Sequence, residues 1–280
     1  MHRVAIVLLL LTSGAPLAPE PPLHARPDAV TFAVIGDSGT GDRVQYELAR
    51  QMSAANGRVP FDLVLMLGDN IYGGQSPSDF VQKFERPYAP LLESGVRFYA
   101  ALGNHDDAKN RFYPGFNMGG QRYYTYTLRN VRFIVLDSDM LDAPQQAWLA
   151  GTLERATEPW KICYFHHPLY SDGRRHGSQV DLRVALEPLF TKFDVNVVFS
   201  GHDHVYERLA PQKGVYYFVV GSGGQLRKGD VRRSPMTLAA FDQDQAFLLA
   251  QVAGDQLAFE AIARSGAVVD SGVIQREARP

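Results

Sequence analysis

The stretch Phe199-Ser200-Gly201-His202-Asp203-His204 joins an apolar run to two histidines that stand two residues apart. The apolar residues of 195–200 predict a buried strand. Residues two apart on an extended segment point to the same side, so His202 and His204 are candidates for ligands of one metal site. Taken alone, the pair also fits a structural role in a loop.

Four more apolar runs end in residues of metal-ligand type. They are Ile35-Gly36-Asp37-Ser38-Gly39, Leu67-Gly68-Asp69-Asn70-Ile71-Tyr72, Leu102-Gly103-Asn104-His105-Asp106 and Phe165-His166-His167-Pro168. Ligands of an open α/β sheet bind at the carboxyl ends of its strands, so five such ends predict one shared site. Carboxylate, imidazole and amide donors without thiolates suit iron, manganese or zinc. Two ions that share a carboxylate can clamp a phosphoryl group.

The order of apolar and amphipathic segments predicts an α/β fold. Strands and helices alternate up to about residue 210, and the remainder is mostly β. The predicted helices cover 44–54, 80–92, 145–156 and 182–193, and residues 123–136 read as an antiparallel hairpin. Two packed sheets with helices outside fit this order. No linker is evident within 28–280, which we therefore predict to be one domain.

Composition narrows the functional classes. The chain has 280 residues, 45% of them hydrophobic, and a formal net charge of −2. We find no block of five like charges and no basic stripe, so nucleic acid is not an expected partner. Cys163 is the single cysteine and stands in an apolar run, so no disulfide forms within the chain and a buried side chain is expected rather than a catalytic thiol.

The N-terminus resembles a secretory signal peptide followed by a proline-rich leader, together covering 1–27. Met1-His2-Arg3 carries one positive charge, and the apolar run from Val4 to Leu11 is too short to span a bilayer. Cleavage after Ala18 and cleavage after Ala25 both fit, and a buried N-terminal strand is the alternative interpretation. We therefore predict an exported protein, periplasmic or extracellular, without stable membrane insertion.

The five motifs, in this order, resemble the metallophosphoesterase (calcineurin-like) superfamily. That resemblance implies a four-layer α-β-β-α sandwich of two mixed sheets flanked by helices. Gly39 stands where most of the superfamily has a histidine, and Tyr72 stands three residues after Asp69. This exchange is similar to the purple acid phosphatases, in particular the small tartrate-resistant acid phosphatase type.

The resemblance also implies a role for each site residue. A first ion, Fe(III), would be bound by Asp37, Tyr72 and His204, and Asp69 would bridge it to a second ion. The second ion, Fe(II), Zn(II) or Mn(II), would be bound by Asn104, His166 and His202. His166 is preferred to His167 because the family's ligand stands two residues before the proline.

Two further histidines are implied to act on the substrate. His105 would contact the phosphate or the leaving group from outside the ligand set. His176 would be a second substrate histidine, although a solvated surface loop explains it as well. Arg174 and Arg175 either attract phosphate or are ordinary surface residues.

Together these features predict a secreted, acid phosphatase-like enzyme that hydrolyses phosphate monoesters by attack of a metal-bound hydroxide. Its substrate would be a small-molecule or protein-borne monoester. The alternatives are a phosphodiesterase or nucleotidase on the same centre and, less favoured, a non-catalytic metal- or phosphate-binding protein. The sequence leaves the physiological substrate and the oligomeric state open.

Overall fold

The computed structural model describes residues 23–276, so most of the predicted leader lies outside the described residues. Within this range thirteen strands form two sheets. The strands are β1 (Val30–Ile35), β2 (Leu63–Leu67), β3 (Arg97–Ala101), β4 (Tyr124–Leu128), β5 (Val131–Val135), β6 (Trp160–Tyr164), β7 (Val197–Ser200), β8 (Tyr206–Leu209), β9 (Tyr216–Val220), β10 (Thr237–Phe241), β11 (Ala246–Ala253), β12 (Gln256–Ala263) and β13 (Val268–Gln275).

Both sheets are mixed. The first has the order β13-β12-β11-β1-β2-β3, and the second has the order β10-β8-β9-β7-β6-β5-β4. Strands β1, β2 and β3 run parallel, as do β5, β6, β7 and β9, and the outer strands pair antiparallel to them. The parallel parts bring the strand ends that carry the five motifs to one edge of each sheet.

The main core lies between the sheets, and β1 shows why its strands are apolar on both faces. All six of its residues are buried. Phe32 and Val34 face the second sheet, where Phe32 packs edge-on against Phe133 with ring centroids 5.4 Å apart. Ala33 and Ile35 face the helices instead. A strand covered on both sides reads as a continuous apolar run, as the sequence of β1 does.

Helices cover the outer face of each sheet. They are α1 (Arg43–Arg58), α2 (Pro77–Phe80), α3 (Ala89–Glu93), α4 (Ala143–Arg155) and α5 (Val180–Lys192), with a π-helical turn at Val81–Glu85 and short 3₁₀ helices at Ala108–Phe112 and Pro114–Phe116. α1 packs on the first sheet through Leu48 and Met52, and α5 packs on the second through Leu186 and Phe190. The predicted four-layer sandwich is thereby confirmed. No helix of the described residues is long and apolar enough to cross a membrane.

The structure differs from the predicted elements in several places, and the helix predicted for 44–54 continues to Arg58. The helix predicted for 145–156 begins at Ala143, because Asp142 caps it by accepting a hydrogen bond from the Gln145 amide at 2.9 Å. The helix predicted for 80–92 is broken into α2, the π-helical turn and α3, as expected around prolines. Strand β8 was not predicted, because its charged residues Glu207 and Arg208 obscure a four-residue strand.

Candidate metal centre

The five predicted strand ends meet at one place, and the backbone turns sharply at three of the predicted ligands. Asp37, Asp69 and His202 have φ of 54°, 52° and 68°, a region that non-glycine residues seldom occupy. Strain of this kind persists only where the surrounding structure imposes it, and it is concentrated at functional sites. Each of the three stands two residues after the end of its strand, and the turn brings its side chain to the shared site.

Two glycines allow the chain segments to approach one another closely. A Cβ at Gly39 would lie 1.8 Å from the carbonyl oxygen of Asn70, and a Cβ at Gly103 would lie 2.4 Å from both N and Oδ1 of Asp69. No side chain fits at either position. Gly39 also accepts a hydrogen bond from the Tyr72 amide at 2.9 Å, which joins the first and second motifs.

The first group of donors is a triangle of Asp37, Tyr72 and His204. Oδ1 of Asp37 lies 3.1 Å from the Tyr72 hydroxyl and 3.3 Å from Nε2 of His204, and the hydroxyl lies 3.3 Å from the same Nε2. Neighbouring ligands of an ion with bonds of about 2.1 Å stand roughly 3 Å apart when they subtend a right angle. The three atoms therefore have the spacing of ligands to one ion.

The second group is centred on Nε2 of His166. That atom lies 3.1 Å from Oδ1 of Asn104, 3.2 Å from Nδ1 of His202 and 3.5 Å from Oδ1 of Asp69. Ligand atoms of Asp37, Asp69 and His166 all lie within 4.8 Å of one another. Asp69 thus lies near both groups, as the family resemblance implies for a shared carboxylate.

Burial sets the charges of this cluster. It raises the pKa of Asp37 well above its ordinary value, with a further contribution from Asp69. Burial likewise raises the pKa of Tyr72 far above its usual range, and the carboxylates of Asp37 and Asp69 act in the same direction. The pKa of His202 falls to about 2 and that of His204 to about 4, both chiefly through burial.

These groups fit positively charged ions. Asp37 and Asp69 are buried, and the ion-pair partners of both are histidines only. No Lys or Arg among the described residues forms an ion pair with either. Buried carboxylates need pairing or metal coordination to stay charged. Neutral imidazoles offer lone pairs, so the donors present suit two cations of the hard or borderline type.

Hydrogen bonds to groups outside the donor set orient His166 and His167. Nδ1 of His166 lies 2.9 Å from the carbonyl oxygen of Leu67, which can only accept, so Nδ1 carries the proton and Nε2 presents its lone pair to the centre. His167 faces elsewhere: its Nδ1 lies 3.0 Å from the hydroxyl of Ser138, and its Nε2 lies 3.7 Å from Asp139. His167 still lies near His202, and the contacts of His166 with Asn104 and Asp69 favour His166 as the ligand.

Both predicted substrate histidines lie beside the donors. His105 is 54% exposed, its ring centroid lies 4.9 Å from that of Tyr72, and its Nε2 lies 4.0 Å from Oδ2 of Asp69. The ring centroid of His176 lies 4.1 Å from that of His202. The structure therefore brings all nine predicted site residues together.

Three residues that the sequence analysis did not assign support the centre. Asp106 accepts hydrogen bonds from the backbone amides of Asn70, Ile71 and Gly103, and so ties the second motif to the third. Asp203 accepts from Ser171 Oγ at 2.6 Å and from the Gly177 amide at 3.1 Å, which holds the loop that carries His176. Both were recognisable only as acidic neighbours of predicted histidines.

The third is Arg227, whose Nε lies 3.3 Å from Nδ1 of His204. It stands 23 residues after that histidine, in a loop without a recognisable motif. Nothing in the sequence connected Arg227 with the centre.

Two mixed sheets with seven nitrogen and oxygen donors at one edge define a metallophosphoesterase centre. The chain belongs to the calcineurin-like phosphoesterase family, which matches residues 30–206. Its homologues include purple acid phosphatase 3 of Arabidopsis thaliana, 27% identical over 81% of this chain and 73% of the relative. They also include the tartrate-resistant acid phosphatase type 5 of Oryctolagus cuniculus, 28% identical over 69% of this chain and 72% of the relative.

Solved structures share the fold. The purple acid phosphatase PPD1 of yellow lupin superposes with a TM-score of 0.70 at 19% identity, over 91% of this chain and 55% of that one. GAP50, described as the anchor in the inner membrane complex of Plasmodium, gives a TM-score of 0.75 at 18% identity, over 90% of both chains. Identities this low show the fold alone.

The homologues confirm the predicted family and the class of metal-dependent phosphatase. The matched regions cover 73%, 45% and 56% of purple acid phosphatases 3, 15 and 5 of Arabidopsis thaliana, respectively. Because two of these relatives extend well beyond the matched region, their names do not establish the substrate of this chain.

Proposed function

We propose that this chain is an acid phosphatase-like hydrolase of phosphate monoesters with two metal ions. Asp37, Tyr72 and His204 would hold one ion, Asn104, His166 and His202 the other, and Asp69 both. The observation that carries the proposal is the pair of donor groups, with edges of 3.1–3.5 Å, that meet at Asp69. When bound, the two ions supply Lewis acidity towards a phosphoryl group and lower the pKa of a water molecule.

Tyr72 bears on the identity of the first ion. A phenol with a raised pKa ionises only if a strongly polarising cation replaces its proton. Fe(III) is such a cation, and the second group of one amide and two imidazoles suits a divalent ion, Fe(II), Zn(II) or Mn(II).

His105 and His176 would act on the substrate. The His105 ring is half exposed beside Tyr72, and its amide donates to Oδ1 of Asp69 at 2.9 Å, which fixes its loop against the shared carboxylate. From that position its Nε2 can give a proton to the departing alkoxide, the usual work of a general acid. His176, whose ring contacts that of His202 at a tilt of 41°, would bind the phosphate from the side of the second donor group.

Export and partners belong to the same proposal. A charged start, a short apolar run and a proline-rich segment in residues 1–27 support export to the periplasm or the medium. The substrate would be a small-molecule or protein-borne monoester and not a nucleic acid. N-terminal sequencing of the protein recovered from the periplasm or the medium tests export, because an intact Met1 start there would contradict cleavage.

The decisive experiment measures metal content and turnover on one preparation. We expect two metal ions per chain, one of them iron, and a kcat/KM for p-nitrophenyl phosphate at least tenfold above that for bis(p-nitrophenyl) phosphate. His204→Ala should lose one ion and nearly all turnover, whereas Glu154→Ala, which removes an exposed side chain on α4, should lose neither. Preference for the diester would favour the phosphodiesterase alternative. Full metal loading without turnover on either ester would favour a non-catalytic role.

A further inference from the structure

Two loops that are distant in sequence form one wall beside the centre. Residues 171–178 follow β6, and residues 225–234 follow β9. Gly173 and Val231 pair as an antiparallel bridge, the Arg174 amide donates to Asp230 O at 2.8 Å, and the Arg232 amide donates to Asp172 O at 3.0 Å. The backbones of the two loops are therefore held together.

This wall borders the site at two points. The His176 ring in the first loop lies 4.1 Å from the His202 ring, centroid to centroid, and Arg227 in the second loop approaches Nδ1 of His204 to 3.3 Å. Asp203 holds the first loop from beneath through Ser171 and Gly177. His176 and Arg227 of the wall therefore lie beside the donors of the centre.

The wall is strongly basic. Its six cationic side chains define what we call the basic rim: Arg174, Arg175, Arg227, Lys228, Arg232 and Arg233. Five of them are exposed, and Arg227 is half-buried. The two loops contain two acidic residues, Asp172 and Asp230, and Asp172 is engaged by the Ser234 amide and the Thr237 hydroxyl.

In the part of the chain that the structure describes, the rim charges have no carboxylate partner, although Arg233 donates to the Ala240 carbonyl at 3.0 Å and Arg227 donates to His204. Within residues 23–276, no member of the basic rim forms an ion pair within 4.0 Å, whereas Arg132, Arg208 and Arg264 elsewhere each bind a carboxylate at 2.9 Å or less. Six like charges on a fixed backbone repel one another, so the arrangement favours an anion between them. Five of the six are arginines, whose planar donors match the oxygens of a phosphate group.

We propose that the basic rim binds a second phosphate group of the substrate, so that the centre acts preferentially on monoesters carrying at least one further phosphate. This inference rests on the proposed function, because it needs the first phosphate at the metal centre. Arg227 contacts His204, and Arg174 and Arg175 immediately precede His176, so these three residues lie beside the position of the reacting phosphate. A single-phosphate substrate leaves them unused.

The test compares two substrates with the same sugar, fructose 6-phosphate and fructose 1,6-bisphosphate. The expected ratio of kcat/KM favours the bisphosphate by about tenfold in the wild type, since an exposed charge pair contributes up to about fivefold and several rim charges are available. Arg174→Ser/Arg175→Ser should reduce the ratio about tenfold. The preference of the wild type should also fall as sodium chloride is raised, because salt screens exposed charges.

The matched control is Arg155→Ser/Lys192→Ser. Both residues are exposed at the ends of α4 and α5 that precede β6 and β7, opposite the strand ends of the centre. The control should keep the wild-type ratio. An unchanged ratio in the rim variant, or an equal fall in the control, would overturn the inference.

Binding separates this inference from the proposed function. Titration calorimetry of the metal-loaded protein with inorganic tripolyphosphate should show about tenfold weaker binding to the rim variant than to the wild type. Equal affinities of the rim variant and the wild type would contradict phosphate binding by the basic rim, even in a preparation that hydrolyses no ester. Turnover of fructose 6-phosphate without any preference for the bisphosphate would be compatible with the proposed function but would contradict binding of a second phosphate by the basic rim.

Discussion

The phenol oxygen of Tyr72 lies 3.3 Å from Nε2 of His204, although 132 residues separate the two in the chain. The contact is possible because Gly39 has no side chain: any Cβ there would collide with the carbonyl oxygen of Asn70. Space that a histidine at position 39 would need is occupied by the backbone of the second motif. Tyr72 belongs to that same segment, and its phenol oxygen lies beside Asp37 and His204 instead.

Tyr72→Phe tests whether the phenol is a ligand. We expect the iron-loaded wild type to absorb visible light through phenolate-to-iron charge transfer and the variant to be colourless. Loading the wild type with Fe(III) should also release one more proton than loading the variant, because the phenol is protonated before the ion binds. A pH-stat titration measures this difference.

Tyr46→Phe is the control for that experiment. The Tyr46 hydroxyl donates to the backbone of Gln82 on the surface of α1, away from the donors. Its removal should leave both the colour and the proton count unchanged. Retention of the visible band in Tyr72→Phe would remove Tyr72 from the ligand set.

Gly103→Ala tests the close approach of the second and third motifs. The new methyl group would lie 2.4 Å from N and Oδ1 of Asp69, so the backbone must move. We expect a loss of about 2–3 kcal/mol in the free energy of unfolding and weaker retention of one ion during dialysis against a chelator. Urea unfolding and metal analysis measure the two effects.

Gly57→Ala is the same change at a position with space. Gly57 lies in α1, and no atom stands within 4 Å of an added Cβ. Alanine should stabilise the protein there by about 0.5–1 kcal/mol, because glycine disfavours a helix interior. Equal destabilisation by both substitutions would show that Gly103 has no special role.

Glu158→Gln tests the pH dependence of folding in the acid range. Hydrogen bonds from Arg132, both at 2.7 Å, are the main cause that lowers the pKa of Glu158 to about 2 from 4.5. A lowered pKa in the folded state stabilises the protein above pH 4.5, and this contribution is lost as the pH falls towards 2.

We therefore expect the variant to be less stable by about 1 kcal/mol at pH 6 and equal to the wild type near pH 2. Urea unfolding across this range provides the comparison. Glu154→Gln, which changes an exposed side chain on α4, should show no such trend. A constant difference between wild type and Glu158→Gln at every pH would contradict the assigned cause.

Ser171→Ala tests how the loop of His176 is held. The Ser171 hydroxyl donates to Asp203 at 2.6 Å and accepts from the Gly173 amide at 3.0 Å. Loss of a hydrogen bond to a carboxylate costs about 1.5–3 kcal/mol, so the loop should open more often. We expect trypsin to cleave after Arg174 and Arg175 at least tenfold faster than in the wild type.

Ser94→Ala is the matched substitution, because the Ser94 hydroxyl also donates one hydrogen bond, to the Leu91 carbonyl at the end of α3. It should leave cleavage at the two arginines unchanged. Equal protection of the loop in Ser171→Ala and the wild type would show that Asp203 does not hold it.

Strand patterns and ligand types were predictable from local sequence. Buried strands such as β1 are apolar on both faces, and each ligand follows its strand within a few residues, so the five motifs stand out as a set. Less regular segments were not predictable: β8 is short and charged, and prolines divide the region around Val81–Glu85 into three pieces. There the outcome depends on contacts between distant segments.

The sequence by itself determined the fold class, the family and the order of the donors, because each of these is carried by runs of neighbouring residues. Only the tertiary structure brought the donors together into two groups, since four of the edges of 3.1–3.5 Å join residues from different sheets. It also gathered the basic rim from two loops in a chain whose net charge is −2 and whose sequence shows no basic stripe. Charge that is dispersed along a chain becomes a local field only when folding brings the segments together.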